Sequence, residues 1–166
     1  MPFRKRAART AAEILLVEDS RGDIRLMQEA FREARCSAKL SIAHNGPQAL
    51  AFLRREDPYQ SVSRPSLILL DLNLPGANGT ELLAEIKSQR DLRQIPVIIL
   101  STSTEAADIA RAYDLHANCY ISKPGDLESL VDLVHMLEAF WLGTAAIAEE
   151  NPRPWSFENK TLAARK

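Results

Sequence analysis

Asp71 follows an uninterrupted apolar run, Leu67-Ile68-Leu69-Leu70, and is followed by Asn73 and then Pro75-Gly76. Three other runs lead to polar groups in the same way. Ile14-Leu15-Leu16-Val17 precedes Glu18-Asp19, Pro96-Val97-Ile98-Ile99-Leu100 precedes Ser101, and Cys119-Tyr120-Ile121 precedes Lys123-Pro124. A polar side chain after a buried strand is projected at the rim of a sheet, where open α/β folds bind their ligands. Three carboxylates brought together, Glu18, Asp19 and Asp71, cannot all stay ionised without compensation. Mg²⁺ suits them, being a hard cation that takes oxygen ligands and is held by one or two carboxylates plus a phosphate. Asp71 is then placed to attack a phosphoryl group, because carboxylates serve as nucleophiles in aspartyl-phosphate chemistry. Lys123 and the metal neutralise charge on the transferring oxygens. Ser101 can hydrogen-bond a phosphoryl oxygen, and the backbone carbonyl of Asn73 can face the cation.

Positioning these groups requires strands at 13–17, 38–43, 66–70, 96–100 and 118–121, alternating with helices at about 21–35, 46–55, 80–89, 104–114 and 126–141. Runs such as Leu67–Leu70 and Val97–Leu100 do not alternate in polarity. Near-continuous apolar strands are buried on both faces, which means a parallel sheet covered by helices on both sides. Repeated strand-helix units predict a doubly wound five-stranded α/β domain. Analogy with sheets of this class gives the flavodoxin-like order 2-1-3-4-5, with the site at the switch point beside the first and third strands. Ser20, Thr80-Glu81, Thr104-Glu105 and Asp126 mark helix starts as caps or first-turn acids. Residues 54–66, polar with two prolines, read as a long exposed loop. The chain divides into a basic N-terminal arm (1–12), one domain (13–142) and a C-terminal extension (143–166).

The 166 residues suffice for one sizeable core, and a net charge of −1 calls for neither nucleic acid nor an anionic membrane. No apolar stretch approaches a membrane span, and no signal-peptide core follows the basic start. Cys36 and Cys119 form no disulfide framework or zinc pattern. Cys119 reads as a small core residue. A cytoplasmic protein is expected. His44, His116 and His135 are widely spaced and have no metal-like partners.

As a set, Glu18-Asp19, Asp71, Ser101, Tyr120 and Lys123-Pro124 resemble the receiver domain of bacterial two-component response regulators. Asp71 to Ser101 spans 30 residues and Ser101 to Lys123 spans 22, as in the prototype chemotaxis receiver. The likeness covers about 13–141. It implies that Asp71 accepts a phosphoryl group from a histidine kinase, that the donor histidine belongs to that other protein, and that Ser101 and Tyr120 form a switch. It also suggests a cis Lys123–Pro124 bond. Departures are serine rather than the commoner threonine at 101, Thr102 where alanine is frequent, which would narrow the mouth, and a longer stretch between Asp19 and Asp71. No DNA-binding or enzymatic output domain is read. Single-domain regulators that work with bacterial phytochrome kinases show a similar long loop, hydroxyl-rich fourth strand end and extended C-terminus.

Singly, Asp71 could be a turn acid, Glu18-Asp19 loop acids, Lys123 a solvated lysine and Tyr120 a half-buried strand aromatic. Two other functions compete with a phospho-accepting signalling protein that is not an enzyme. An aspartyl-nucleophile phosphatase would usually carry a second acid two residues after the nucleophile, where this chain has Asn73. A binding-only pseudo-receiver would be expected to lack one of Asp71, Asp19 or Lys123. In the fifth helix, Leu127, Leu130, Val131, Val134 and Trp141 form one apolar stripe, and Leu133, Met136, Leu137 and Phe140 a second. Two such faces, with Trp155 and Phe157 beyond, predict a homodimer through the fifth helix and the C-terminal arm.

Overall fold

The computed structural model describes residues 11–76 and 78–150. Five strands alternate with five helices: β1 (Glu13–Val17), α1 (Arg21–Glu33), β2 (Lys39–Ala43), α2 (Gly46–Arg54), β3 (Leu67–Leu70), α3 (Gly79–Ser88), β4 (Val97–Ser101), α4 (Ala106–Asp114), β5 (Cys119–Ser122) and α5 (Leu127–Leu137). A π-helical segment, Glu138–Thr144, prolongs α5. The strands are all parallel in the order β2-β1-β3-β4-β5, the expected flavodoxin-like arrangement. No helix among the described residues is long and apolar enough to cross a membrane.

The unbroken apolar runs follow from this layering. Successive side chains of a strand point to opposite faces. Leu15, Val17, Ile68, Leu70, Val97 and Ile99 face a core closed by Phe52 of α2 and Leu82, Leu83 and Ile86 of α3. Ile14, Leu16, Leu67, Leu69, Ile98 and Leu100 face a second core closed by Met27 and Phe31 of α1 and by α5. The edge strands β2 and β5 are only partly covered, and Cys119 is half-buried beside the second core.

Helix starts are capped as expected at Ser20, whose Oγ accepts from Asp23 N at 3.3 Å, and at Asp126, whose Oδ1 accepts from Ser129 N at 2.8 Å. The cap of α3 is Asn78 instead of Thr80: Asn78 Oδ1 accepts from Thr80 N at 3.2 Å. Thr80 lies inside the first turn, where the helix packs onto the chain just past Asp71, and its buried Oγ1 has no partner among the described residues. Gly79 makes that close approach possible. A Cβ there would stand 2.5 Å from both Asp71 O and Leu72 Cα. Gly79→Ala is therefore expected to lower stability by about 3 kcal/mol, as overpacking against rigid backbone does; urea unfolding measures it, and an unchanged midpoint would contradict the contact.

The 54–66 connection is less exposed than its composition suggests. Tyr59 and Val62 pack on the first core, Tyr59 stands 5.4 Å from the Phe52 ring, and Pro65 is buried. Apolar groups within a polar segment find the uncovered flank of α2. In α5 the buried stripe is Leu130, Leu133, Val134 and Leu137, not either of the two sets drawn from the sequence. Leu127, Val131 and Trp141 are only partly buried against the same core, while Met136 and Phe140 are exposed.

At the foot of the sheet, Lys87 Nζ donates to Ile95 O and Asn118 Oδ1, both at 2.9 Å, and to Arg93 O at 3.2 Å. Asn118 Oδ1 also accepts from Val97 N, so one ammonium fastens α3 to the starts of β4 and β5. Burial lowers the Lys87 pKa from 10.5 to about 8. Between those values the unfolded chain holds a proton that the folded chain has released, so folding gains stability as pH rises through the window. Lys87→Met leaves three acceptors without this donor. It is expected to destabilise the fold by about 1–3 kcal/mol at neutral pH, and the gap between wild type and variant should widen from pH 8 to 10.5. Melting curves across that range test the sign.

Candidate functional site

The C-terminal ends of β1, β3, β4 and β5 bring Glu18, Asp19, Asp71, Asn73, Ser101 and Lys123 to one rim, while Tyr120 stands earlier in β5, paired with Ile99. Backbone bonds hold them there: Asp71 N donates to Val17 O at 3.1 Å, Glu18 N to Ala43 O at 3.0 Å, and Lys123 N to Ser101 O at 2.8 Å. Asp71 is 5% exposed and Glu18 2%. Asp71 Oδ1 accepts from Asn73 N at 2.9 Å, and its Oδ2 accepts from Lys123 Nζ at 2.9 Å. Glu18 Oε1 accepts from Ser20 N at 2.9 Å, and its Oε2 accepts from Lys123 Nζ. Asp19 is exposed at the mouth. One oxygen each of Glu18, Asp19 and Asp71 lies within 4.8 Å of the others.

The electrostatics follow from burial and pairing. Desolvation raises the Glu18 carboxyl above the ordinary carboxylate value, helped by the like charge of Asp71 and opposed by the bonds from Lys123 and Ser20. For Lys123, desolvation works against the charge, but bonds to Asp23, Glu18 and Asp71 outweigh it and hold the ammonium above its usual range. The site thus carries more negative charge than its lysine neutralises, in a donor set made only of oxygen. That is what a hard divalent cation requires.

Ser101 is fully buried, and its Oγ accepts from Ser103 N at 3.2 Å. Tyr120 is half-buried, and its hydroxyl donates to Ser103 O at 2.9 Å. Asn73 is exposed, with Nδ2 3.5 Å from Thr102 Oγ1, so this pair borders the opening. The Lys123–Pro124 bond is trans, contrary to the suggested cis form; the cis bond in the described residues is Asp57–Pro58. Trans is the lower-energy isomer by about 0.5–1 kcal/mol, and with it Lys123 already reaches three carboxylates. His44, His116 and His135 are all exposed.

Two participants were not singled out from sequence. Asp23 Oδ2 accepts from Lys123 Nζ at 2.8 Å, from the first turn of α1. Its place as an acid in the first turn of the helix that follows Glu18-Asp19 was the available signal. Ser103 lies within the hydroxyl-rich run Ser101-Thr102-Ser103-Thr104, where composition alone does not select one residue.

Comparison with known proteins adds to this geometry. Residues 14–135 match the family described as response regulator receiver domain. The response regulator Rcp1 of Synechocystis sp. is 46% identical over 134 residues, covering 81% of this chain and 91% of Rcp1. The solved structure of the phosphorylated cyanobacterial phytochrome response regulator RcpA is 48% identical, with a TM-score of 0.78 over 84% of this chain and 100% of that one. The Mn²⁺-bound form of Rcp1 gives 45% and 0.74, over 83% of this chain and 99% of that one.

Proposed function

This chain belongs to the response regulator receiver family, and on that premise we propose that it accepts a phosphoryl group from a sensor histidine kinase onto Asp71 and signals by a change of conformation. The observation that carries this reading is the placement of Asp71: a buried carboxylate at the sheet rim, 2.9 Å from a lysine ammonium and within 4.8 Å of two further carboxylates. An oxygen of Asp71 forms the new bond to phosphorus as the bond from phosphorus to the donor's imidazole nitrogen breaks. Lys123 pairs with the charge on the transferring oxygens, and Asn73 N holds the oxygen it already bonds. Glu18, Asp19, Asp71 and the carbonyl of Asn73 would hold Mg²⁺. When bound, Mg²⁺ supplies further positive charge at the phosphoryl oxygens.

Once phosphorylated, Asp71 offers new acceptors to Ser101 and Lys123. Displacing Ser101 opens the space into which Tyr120 turns. The test is to mix the protein with Mg²⁺ and acetyl phosphate and weigh it intact. One acid-labile phosphate per chain supports the reading; none, with Mg²⁺ saturating, overturns it.

RcpA is a cyanobacterial phytochrome response regulator, and on that likeness we assign a bacteriophytochrome-type kinase as donor, acting in the cytoplasm. Neither nucleic acid nor membrane enters this reading. A second copy of the chain does. Met136 and Phe140, 62% and 54% exposed, are large apolar groups left uncovered on α5 and its π-helical continuation. We assign them to a two-fold interface, with the 143–166 extension as its arm; Trp155 and Phe157 lie outside the described residues. Truncation after Gly143 should weaken the dimer and leave phosphate uptake intact. Sedimentation showing a monomer at about tens of micromolar, a concentration at which a dimer held by about 8 kcal/mol would form, would remove the proposal.

A further inference from the structure

Every side-chain N–H of Lys123 is engaged. An ammonium carries three donors and no acceptor. All three go to carboxylates: Glu18 Oε2, Asp23 Oδ2 at 2.8 Å and Asp71 Oδ2 at 2.9 Å. The three acceptors are not equivalent. Glu18 and Asp71 are buried, whereas the Asp23 side chain is 46% exposed. Asp23 also reaches the lysine from a helix, standing in the first turn of α1. Its backbone is fixed there by Ser20, whose Oγ accepts from Asp23 N at 3.3 Å. The side chain can therefore turn away without unwinding the helix start.

We propose that Asp23 is the exchangeable partner of Lys123, a positioning residue that holds one N–H of the ammonium in the resting site and yields it to the incoming phosphoryl group. This rests on the reading above, in which Lys123 pairs with charge on the transferring oxygens. For that pairing to form before an Asp71 oxygen attacks, one existing bond must open. Opening the bond to Glu18 or Asp71 takes the lysine from a buried carboxylate, which is costly. Opening the bond to Asp23 returns a half-exposed carboxylate to water. The exchange keeps the count at three bonds, with a phosphoryl oxygen in place of Asp23 Oδ2. Until it happens, the lysine is closed to weakly binding anions, and the Asp23 charge opposes any second anion beside it. A phosphoryl group has to outcompete that carboxylate. Deleting the carboxylate should therefore tighten the binding of a phosphoryl mimic, which is opposite in sign to the usual effect of losing a contact in a site.

The experiment titrates the full chain with beryllofluoride at saturating Mg²⁺, comparing wild type with Asp23→Ala, Asp23→Asn and Asp23→Glu. Asp23→Ala should bind about fivefold more tightly, the equivalent of an exposed ion pair at the upper end of its usual range. Asp23→Asn, which keeps an acceptor oxygen without the charge, should also bind more tightly than wild type. Asp23→Glu, which restores the charge, should return toward the wild-type affinity. A second measurement needs no variant. The chemical shift of the Asp23 carboxyl carbon in the wild type should move to that of a solvated aspartate when beryllofluoride binds. An acid that only supports the first turn of α1 would lower the melting temperature on substitution and leave the affinity where it was. Unchanged or weaker binding by Asp23→Ala overturns the exchange. So does an Asp23 carboxyl resonance that stays in place while that of Glu18 moves. If the wild type neither binds beryllofluoride nor takes up phosphate, the phospho-accepting reading itself fails and the exchange falls with it.

Discussion

Asp71→Asn will take up no phosphate from acetyl phosphate under conditions in which the wild type is fully modified. An amide oxygen is a poor nucleophile, and no other carboxylate at the rim is placed as Asp71 is. Glu18 is turned into bonds with Ser20 and Lys123, and Asp19 stands exposed at the mouth. The substitution also has a structural cost. Both Asp71 oxygens accept from donors, Asn73 N and Lys123 Nζ. An asparagine must turn its NH₂ toward one of them, which costs about 1–3 kcal/mol where a donor is left unpaired. Removing one of three clustered negative charges offsets part of that. Intact mass after acid and neutral quench reads the phosphate. The same stoichiometry of acid-labile phosphate in the variant would defeat the assignment of Asp71.

Lys123→Met should produce the second large effect, on stability and reactivity together. The side chain is 10% exposed and meets three carboxylates. Removing one partner of a buried ionic group leaves uncompensated charge and typically costs about 3–5 kcal/mol. Here Asp23 is 46% exposed and can turn to water, so the lower end is expected. The phosphorylation rate should fall by roughly 10²-fold, as when one preorganised donor at a developing charge is removed. Mg²⁺ should recover part of the lost stability, because Glu18, Asp19 and Asp71 then have no competing ammonium. Melting temperature with and without Mg²⁺, alongside the rate of mass gain, separates these effects. A variant that melts as the wild type does and gains phosphate as fast would show that the lysine is not part of the site.

The elements were legible where burial leaves no choice. Leu67–Leu70 and Val97–Leu100 face a core on each side, so their composition admits no alternation and announces a covered parallel strand. The rim residues were legible for the same reason, since each ends such a run. The strand order came from analogy with the switch-point rule, and the pairing bears it out. What escaped depends on rotation about helix axes. Asp23 joins Lys123 only because α1 presents that side of its first turn to β5, which spacing allows but does not require. In α5, apolar residues at 127, 130, 131, 133, 134, 136 and 137 admit more than one stripe. Packing against α1 and the sheet selected 130, 133, 134 and 137. The π-helical turn from Glu138 widens the helix, and Trp141, read as a core residue by regular spacing, packs on the core but is only partly buried. Asn78 was passed over as a cap because a nearby threonine fits the same rule.

The strand order also governs when the site exists during synthesis. Lys123 meets Glu18 across 105 residues of chain and Asp71 across 52. Contacts of such high sequence separation form late, since loop closure must precede them. A nascent chain leaving the ribosome through β4 holds the nucleophile and the acids without the ammonium. The complete phospho-accepting site arises only when the fifth strand has docked on the sheet edge, so competence to receive a signal coincides with completion of the fold.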